Sequence, residues 1–406
     1  MTAGFITNRI NINKAFLLLM FCLGLALPFK DQYGTIVTVI LLVCAVVIFI
    51  KQKKLTNQSS YLYLVLIPAL LIIPRLIGII TGDFDIAIKE LIRALPLILI
   101  PLLFILSASL NNLEKYFYYG LALGLVLFMI ICECHIIYAM IKGNEPLEYF
   151  FRWRHLNINF AKPLDQHPPY IGILIMWVFI KTLFNTYLNK RISYTLLVLL
   201  SFLLFQLLAR NAIIILLIVV FVYALKRKKI KQLLLVGSLG LALLMIALFH
   251  PHQYLREKIV YKLNPFDKKH KDYRITRLDA SIEVFKKAPV FGVGPNNDND
   301  LRKIEYKKMH DYTAFERNYN SHNQFFEYLV SHGIIGLLCF ITLLFILIKM
   351  TTKNKDYINL LLIMCFIVSC LTESVLERTL GVKYFSILIA FILLNHIKKH
   401  KQISLK

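Results

Sequence analysis

Apolar residues run in long blocks along this chain, broken by short polar stretches rich in lysine and arginine. About 20 apolar residues are needed to cross a hydrocarbon core as a helix. On that measure the pattern predicts helices near 15–29, 35–50, 61–80, 93–110, 116–141 and 168–188. A continuous apolar stretch follows at 192–225, with further runs at 231–249, 324–348, 356–373 and 382–397. Arg9 and Lys14 precede the first run as in a signal peptide. No small-x-small site follows Leu25-Ala26-Leu27-Pro28, so that run is expected to stay as a helix.

The 192–225 stretch decides the topology. As one helix it would be roughly 50 Å long, against a core of about 30 Å. Arg210-Asn211 sits at its middle, where a charge in lipid is costly. Two short helices with Arg210 at the turn raise the count to twelve. The clusters at Lys51–Lys54, Lys190-Arg191, Lys226–Lys229, Lys349–Lys355 and Lys398-Lys399 then share one side with both termini, and that side is expected to be cytoplasmic. The other side carries 75–92, 142–167, Arg210, the long polar loop and 374–381. The organisation expected is helices one to nine within 1–249, a loop domain at 250–321, and helices ten to twelve with a tail in 322–406.

Composition fits an all-α polytopic membrane protein. Of 406 residues 58% are hydrophobic, more apolar surface than a soluble fold of this length hides. The net charge of +24 comes from cations clustered between apolar runs, the pattern of orientation signals and not of a nucleic-acid surface. The seven cysteines fall in apolar runs, so no disulfide is expected. Cys132-Glu133-Cys134-His135 points around a helix and reads as helix packing, not as a metal cluster.

Chemistry concentrates in the polar loop and its return to the membrane. Arg274–Lys287 reads as a helix with Asp272 as N-cap and one apolar stripe at Ile275, Leu278, Ile282 and Phe285. Arg274 stands in its first turn and Arg277 one turn on, where free N–H groups also favour anions; a helix lying on the bilayer suits the same pattern. His322 and Asn323 open the next apolar run at the outer surface, and histidine is the side chain best matched to proton transfer near neutral pH. His332 reads as a packing residue beside Gly333 and Gly336. Arg75, Lys89, Arg93, Arg152 and Arg154 add a basic rim suited to a phosphorylated lipid. Asp83-Phe-Asp85 and Asp298-Asn-Asp300 are short enough to arise by chance and make weak metal motifs. Phosphate-loop, dinucleotide, zinc-protease and serine-hydrolase motifs are missing from the sequence.

Three features resemble the bacterial O-antigen ligase family within the wider ligase/polymerase group of membrane glycosyltransferases. They are Ala209-Arg210-Asn211 between two helices, Arg274 through Pro289 followed by Phe-Gly-Val-Gly, and His322-Asn323 through Gly333. Where that family often ends Gly-x-x-Thr, this chain has Gly336, which blurs ligase against polymerase. The long carboxy-terminal region typical of protein O-oligosaccharyltransferases has no counterpart, pointing away from a protein acceptor.

The resemblance implies a GT-C-like helical fold of about twelve transmembrane helices with short helices in a large periplasmic loop. It implies transfer of O-antigen from undecaprenyl pyrophosphate to a sugar of the lipid A–core oligosaccharide, at the periplasmic face of the inner membrane, without nucleotide or metal cofactor. Arg210 and Arg274 would hold the pyrophosphate, and His322 would activate the acceptor or hold a phosphate. Arg277, Asn323, Arg75, Arg93, Arg152 and Arg154 would bind substrate. An O-antigen polymerase is the alternative. A transporter is disfavoured because no repeat is found and the ionisable residues gather at one face.

Overall fold

The computed structural model describes residues 2–52, 58–81, 83–184, 187–227, 273–295 and 297–404. Among them the chain is helical and contains no strand. Five helices are long and apolar enough to cross a membrane: Asp31–Lys51, Leu113–Lys142, Lys190–Leu207, Gln324–Lys353 and Thr379–His400. Two bent pairs bring the number to seven, Tyr61–Ala69 with Ile73–Ile80 (46°) and Ile158–Leu164 with Pro168–Phe184 (84°). Ile12–Ala26, Asn211–Ala224 and Tyr357–Cys370 are shorter apolar helices. The twelve expected spans are therefore represented by five to seven among the described residues, and the run at 231–249 and the Asp272 cap lie outside them. All seven cysteines are free.

The chain divides into two compact units, one of residues 1–124 with 274–406 and one of residues 125–273. In the first, the Thr379–Ser404 helix is the core, buried along most of its length. Its Phe391 meets the edge of Phe104 at 4.8 Å and lies 5.5 Å from Phe117, while Phe385 stacks on Phe366 at 4.1 Å. The first helix, Thr2–Ala26, comes against Leu113–Lys142 so closely that a Cβ on Gly120 would lie 1.9 Å from the Phe21 carbonyl oxygen. Small residues permit such backbone approach where lipid supplies no hydrophobic drive for helix association.

In the second unit the 192–225 stretch breaks as expected. Lys190–Leu207 is capped by Asn189, whose side chain accepts from the Ile192 N–H at 2.9 Å. Leu208 then turns left-handed (φ 44°) and a new helix runs from Arg210 to Arg227. A leucine resists that conformation. It is held because Leu208 is buried with Leu156, and Phe151 packs on the pair. Both helices pack on Pro168–Phe184, where a Cβ on Gly172 would lie 2.9 Å from that of Ala212.

Within the first unit, one apparent span is broken. The Gln324–Lys353 helix is interrupted at Gly333 (φ 64°, ψ −166°). The Pro289–Gly294 turn plugs the gap: Ile334 and Ile335 donate to the carbonyls of Pro289 (2.9 Å) and Val290 (3.4 Å). In return Val293 and Gly294 donate to Val330 (3.0 Å) and Ser331 (3.1 Å). Non-helical backbone at membrane depth survives when protein satisfies its peptide groups. Only glycine fits the crossing, since a Cβ on Gly292 would lie 2.4 Å from His332 N and one on Gly333 2.2 Å from Val290 O.

Candidate functional site

The polar part of the first unit is built from three short helices, Tyr273–Phe285, Asn297–Lys308 and Tyr312–Arg317. The first begins one residue ahead of the expected position, and its apolar stripe is not its buried face. Ile275 is 65% exposed and Ile282 36%, whereas Thr276, Ala280, Ser281 and Val284 are buried. Small residues pack closely here, with Ala280 against Tyr306 and Ala314. Ile275 and Ile282 are left facing outward, while Leu278 and Phe285 are half-buried.

This packing presents Arg274 and Arg277 in different ways. Arg277 is mostly enclosed: its Nε lies 3.6 Å from Asp311 Oδ2, and its guanidinium sits 4.5 Å from the centroid of the Tyr319 ring. Arg274 is more open, with Nη2 3.6 Å from Glu373 Oε1. Tyr319 is fixed at both ends, its carbonyl accepting from Tyr306 Oη (2.9 Å) and its hydroxyl from Arg317 (3.3 Å). Its ring meets that of His322 edge-on at 5.6 Å.

His322 itself sits in a left-handed conformation (φ 51°), and its N–H donates to Asn320 Oδ1 at 3.1 Å. Its Nδ1 lies 3.2 Å from Glu373 Oε2. A carboxylate there accepts from Nδ1–H and leaves Nε2 as the free basic position of the neutral ring. Asn323 caps the Gln324–Lys353 helix, accepting from the Phe325 (2.9 Å) and Phe326 (3.3 Å) N–H groups. Its amide donates to the Leu371 carbonyl (3.1 Å), so both ends of the carboxamide are engaged within the protein. Glu373 thus bridges His322 and Arg274. It went unnoticed in the sequence because it closes an apolar run; a carboxylate at a span's end opposite a histidine was the available signal.

Beneath these groups lies a buried ionic network. Arg302, 1% exposed, donates to Glu327 Oε2 and Asp298 Oδ2, both at 2.8 Å. Ser331 adds a bond to Asp298 (2.7 Å), and Ser321, next to His322, one to Glu327 (3.2 Å). Asp298 is thereby committed to Arg302 and Ser331, while Asp300 pairs with Lys303 at 3.8 Å. Asp83 likewise serves as a helix cap, accepting from Ile86 N–H. His332 is buried as expected, 5.5 Å from the Tyr328 ring.

The rim arginines divide. Arg75 is 5% exposed and donates to the Leu71 carbonyl (2.7 Å) and Tyr328 Oη (2.8 Å), a buried position in place of the expected rim. Arg93 reaches the Glu377 carbonyl at 3.2 Å. Near them, burial pushes the Glu90 carboxyl up to about 8; Glu377 and Asp298 add repulsion, against the opposing pull of Arg75 and Arg93. In the second unit Arg152 stacks on Tyr149, and Arg154 pairs with Glu145 at 3.9 Å. Arg210 is the first residue after the helix break there, and its side chain lies outside the described residues.

In this helical, membrane-type chain a histidine, a carboxylate and an arginine gather where a polar segment re-enters a span, and these define the candidate site. A family model described as O-antigen ligase matches residues 171–341, the segment holding Arg210, Arg274, His322 and both glycines of the plugged break. Over this segment the chain is similar to the O-antigen ligase family, whose members are glycosyltransferase-like enzymes of lipopolysaccharide synthesis. No curated protein matches the chain in a direct comparison.

Proposed function

We propose that the protein is an O-antigen ligase that transfers polysaccharide from undecaprenyl pyrophosphate to a sugar hydroxyl of the lipid A–core oligosaccharide. The observation that carries this reading is the His322–Glu373–Arg274 group within a chain similar to this family. Glu373 orients the His322 ring, so Nε2 takes the acceptor proton as the hydroxyl attacks the anomeric carbon. Loss of the glycosyl bond leaves a pyrophosphate with an additional negative charge. The planar guanidinium of Arg274 stabilises that charge with paired donors. Arg210 is assigned the same ligand because it follows the break and stands in the motif that resembles the family's.

Arg93, Arg152 and Arg154 are assigned to the anionic parts of the substrates. Arg75, Arg277 and Asn323 contribute by holding Tyr328, Tyr319 and the start of the Gln324–Lys353 helix. The fold is read as twelve spans of GT-C type with both termini cytoplasmic and the chemistry on the periplasmic side of the inner membrane.

Arg210→Ala, Arg274→Ala and His322→Ala should each insert normally yet leave lipopolysaccharide without O-antigen, with lipid-linked polymer accumulating. Normal capping by all three ends the assignment. Because Gly336 replaces the threonine often found in ligases, a polymerase is the second reading. A deletion strain separates them: a lost ligase leaves bare core, a lost polymerase leaves core with a single repeat.

A further inference from the structure

The loop between the Leu113–Lys142 and Pro168–Phe184 helices carries an aromatic side chain that its fold does not use. Trp153 is 52% exposed, although its neighbours two and three residues on, His155 and Leu156, are buried. The backbone beneath it is pinned from several directions. His155 Nε2 meets Glu145 Oε2 at 3.1 Å, and Leu156 joins the Leu208 cluster. Asn159 Nδ2 donates to the Trp153 carbonyl at 3.0 Å. Asn157, in an uncommon conformation (φ 59°, ψ −129°), donates its N–H to the Gln206 carbonyl at 2.9 Å. Uncommon backbone geometry persists only where the surroundings over-determine it. The result is an indole held out to solvent on a fixed base.

Cations flank it. Arg154 is 63% exposed, its guanidinium 5.9 Å from the Trp153 ring and 3.9 Å from Glu145, and Arg152 lies on the Tyr149 ring. From Phe150 to Lys162 the sequence holds three cations and no carboxylate. The helix that follows, Ile158–Leu164, meets Pro168–Phe184 at 84°, so this loop lies across the end of a span. A tryptophan at such a level can serve as a lipid anchor, but an anchor gains nothing from a pinned backbone and two adjacent guanidinium groups. A rigid aromatic face bordered by planar donors suits a sugar ring that carries a phosphate or carboxylate, since stacking and paired hydrogen bonds then act together.

We propose that Trp153, with Arg152 and Arg154, is a stacking platform for an anionic sugar of a saccharide substrate, which rests on the glycan-transfer reading above. The chain has two tryptophans, and the other, Trp177, is 1% exposed. The difference in emission between wild type and Trp153→Phe, in nanodiscs, therefore isolates the Trp153 signal without disturbing the buried indole.

The probe is a delipidated, phosphorylated core-type oligosaccharide, and the same sample after phosphatase treatment. Saturable change in the Trp153 signal is expected with the phosphorylated form. Loss of the phosphates, or Arg152→Ala with Arg154→Ala, should weaken it by about tenfold or more, the scale of one lost charge-assisted contact. Equal response to both forms overturns the anionic assignment. No response, with quenching of Trp153 by brominated lipid chains, makes it an interfacial anchor and overturns the platform. Binding by a protein that caps no core in cells would remove the ligase reading and leave the platform standing; capping with normal acceptor KM in Trp153→Ala, which removes the aromatic face, would do the reverse.

Discussion

His322 Nδ1 lies 3.2 Å from an oxygen of Glu373, 51 residues further along the chain. The carboxylate's other oxygen is 3.6 Å from Arg274. One acidic side chain thus sets the tautomer of the proposed base and the position of the proposed phosphate ligand. Glu373→Gln keeps an acceptor for Nδ1–H but removes the charge, and should lower kcat by about 10–100-fold with little change in KM, the usual cost of losing a supporting carboxylate. Glu373→Ala should cost more, and His322→Ala about 10²–10⁴-fold. Turnover in nanodiscs with a lipid-linked donor checks the order; an unaltered kcat in Glu373→Gln removes its role.

Gly333→Ala should be poorly tolerated. The added methyl meets the Val290 carbonyl within 2.2 Å at a left-handed backbone position, so the plug and the break must separate. A loss of at least about 2 kcal/mol is expected, of the order seen for backbone strain with a buried clash. Gly34→Ala is the matched control: its Cβ would meet only the flexible Lys383 side chain, Nζ at 3.5 Å and Cδ at 4.0 Å, within a helix that favours alanine. Thermal unfolding of the two variants in detergent should diverge.

Arg302→Ala should be among the most destabilising single changes in the polar region. It strands Asp298 and Glu327, both bonded to Arg302 at 2.8 Å, without a cation. Removing one partner of a buried ion pair costs about 3–5 kcal/mol. Arg302→Lys should recover only part, since one ammonium cannot reproduce a forked contact to two carboxylates. Yield and melting temperature of the purified variants read this out, and wild-type behaviour of Arg302→Ala would refute it.

Stability should also fall as pH rises through the neutral range. Burial holds the Glu90 carboxyl at about 8 in the folded protein, with Glu377, Arg75, Asp298 and Arg93 acting on it. An unfolded glutamate titrates near 4.3. The contribution is therefore complete below the unfolded value, declines above it, and is gone once pH passes the folded one. Glu90→Gln should flatten this slope, raising the melting temperature at pH 8 relative to wild type and less so at pH 5. Parallel curves for the two proteins would count against it.

The helical class was legible because long apolar blocks leave little else for a chain to do, and the break near Arg210 followed from the length of a span, the charge at its middle and the side on which the cationic clusters fall. His322 was visible as a polar residue at a membrane entrance. Glu373 was not, because its role depends on a partner from a different helix that no local pattern records. The Gly333 break was hidden for a similar reason: helical periodicity continues through it, and the carbonyls that make it tolerable come from the Pro289–Gly294 turn. The stripe on Tyr273–Phe285 was legible as an apolar face, but periodicity does not say what such a face touches. In water that face turns inward; here Ile275 and Ile282 point outward, and small residues make the contact.

The plugged break bears on how the protein is made. In an unbroken helix Ile334 and Ile335 would donate to Val330 and Ser331; in the folded protein they donate to Pro289 and Val290, which are synthesised earlier, and Val330 and Ser331 accept from the same turn. Unmatched peptide groups are expensive in lipid. The break is therefore expected to form after the segment has entered the bilayer, as the upstream turn docks and takes over both the donors and the acceptors of one helical turn.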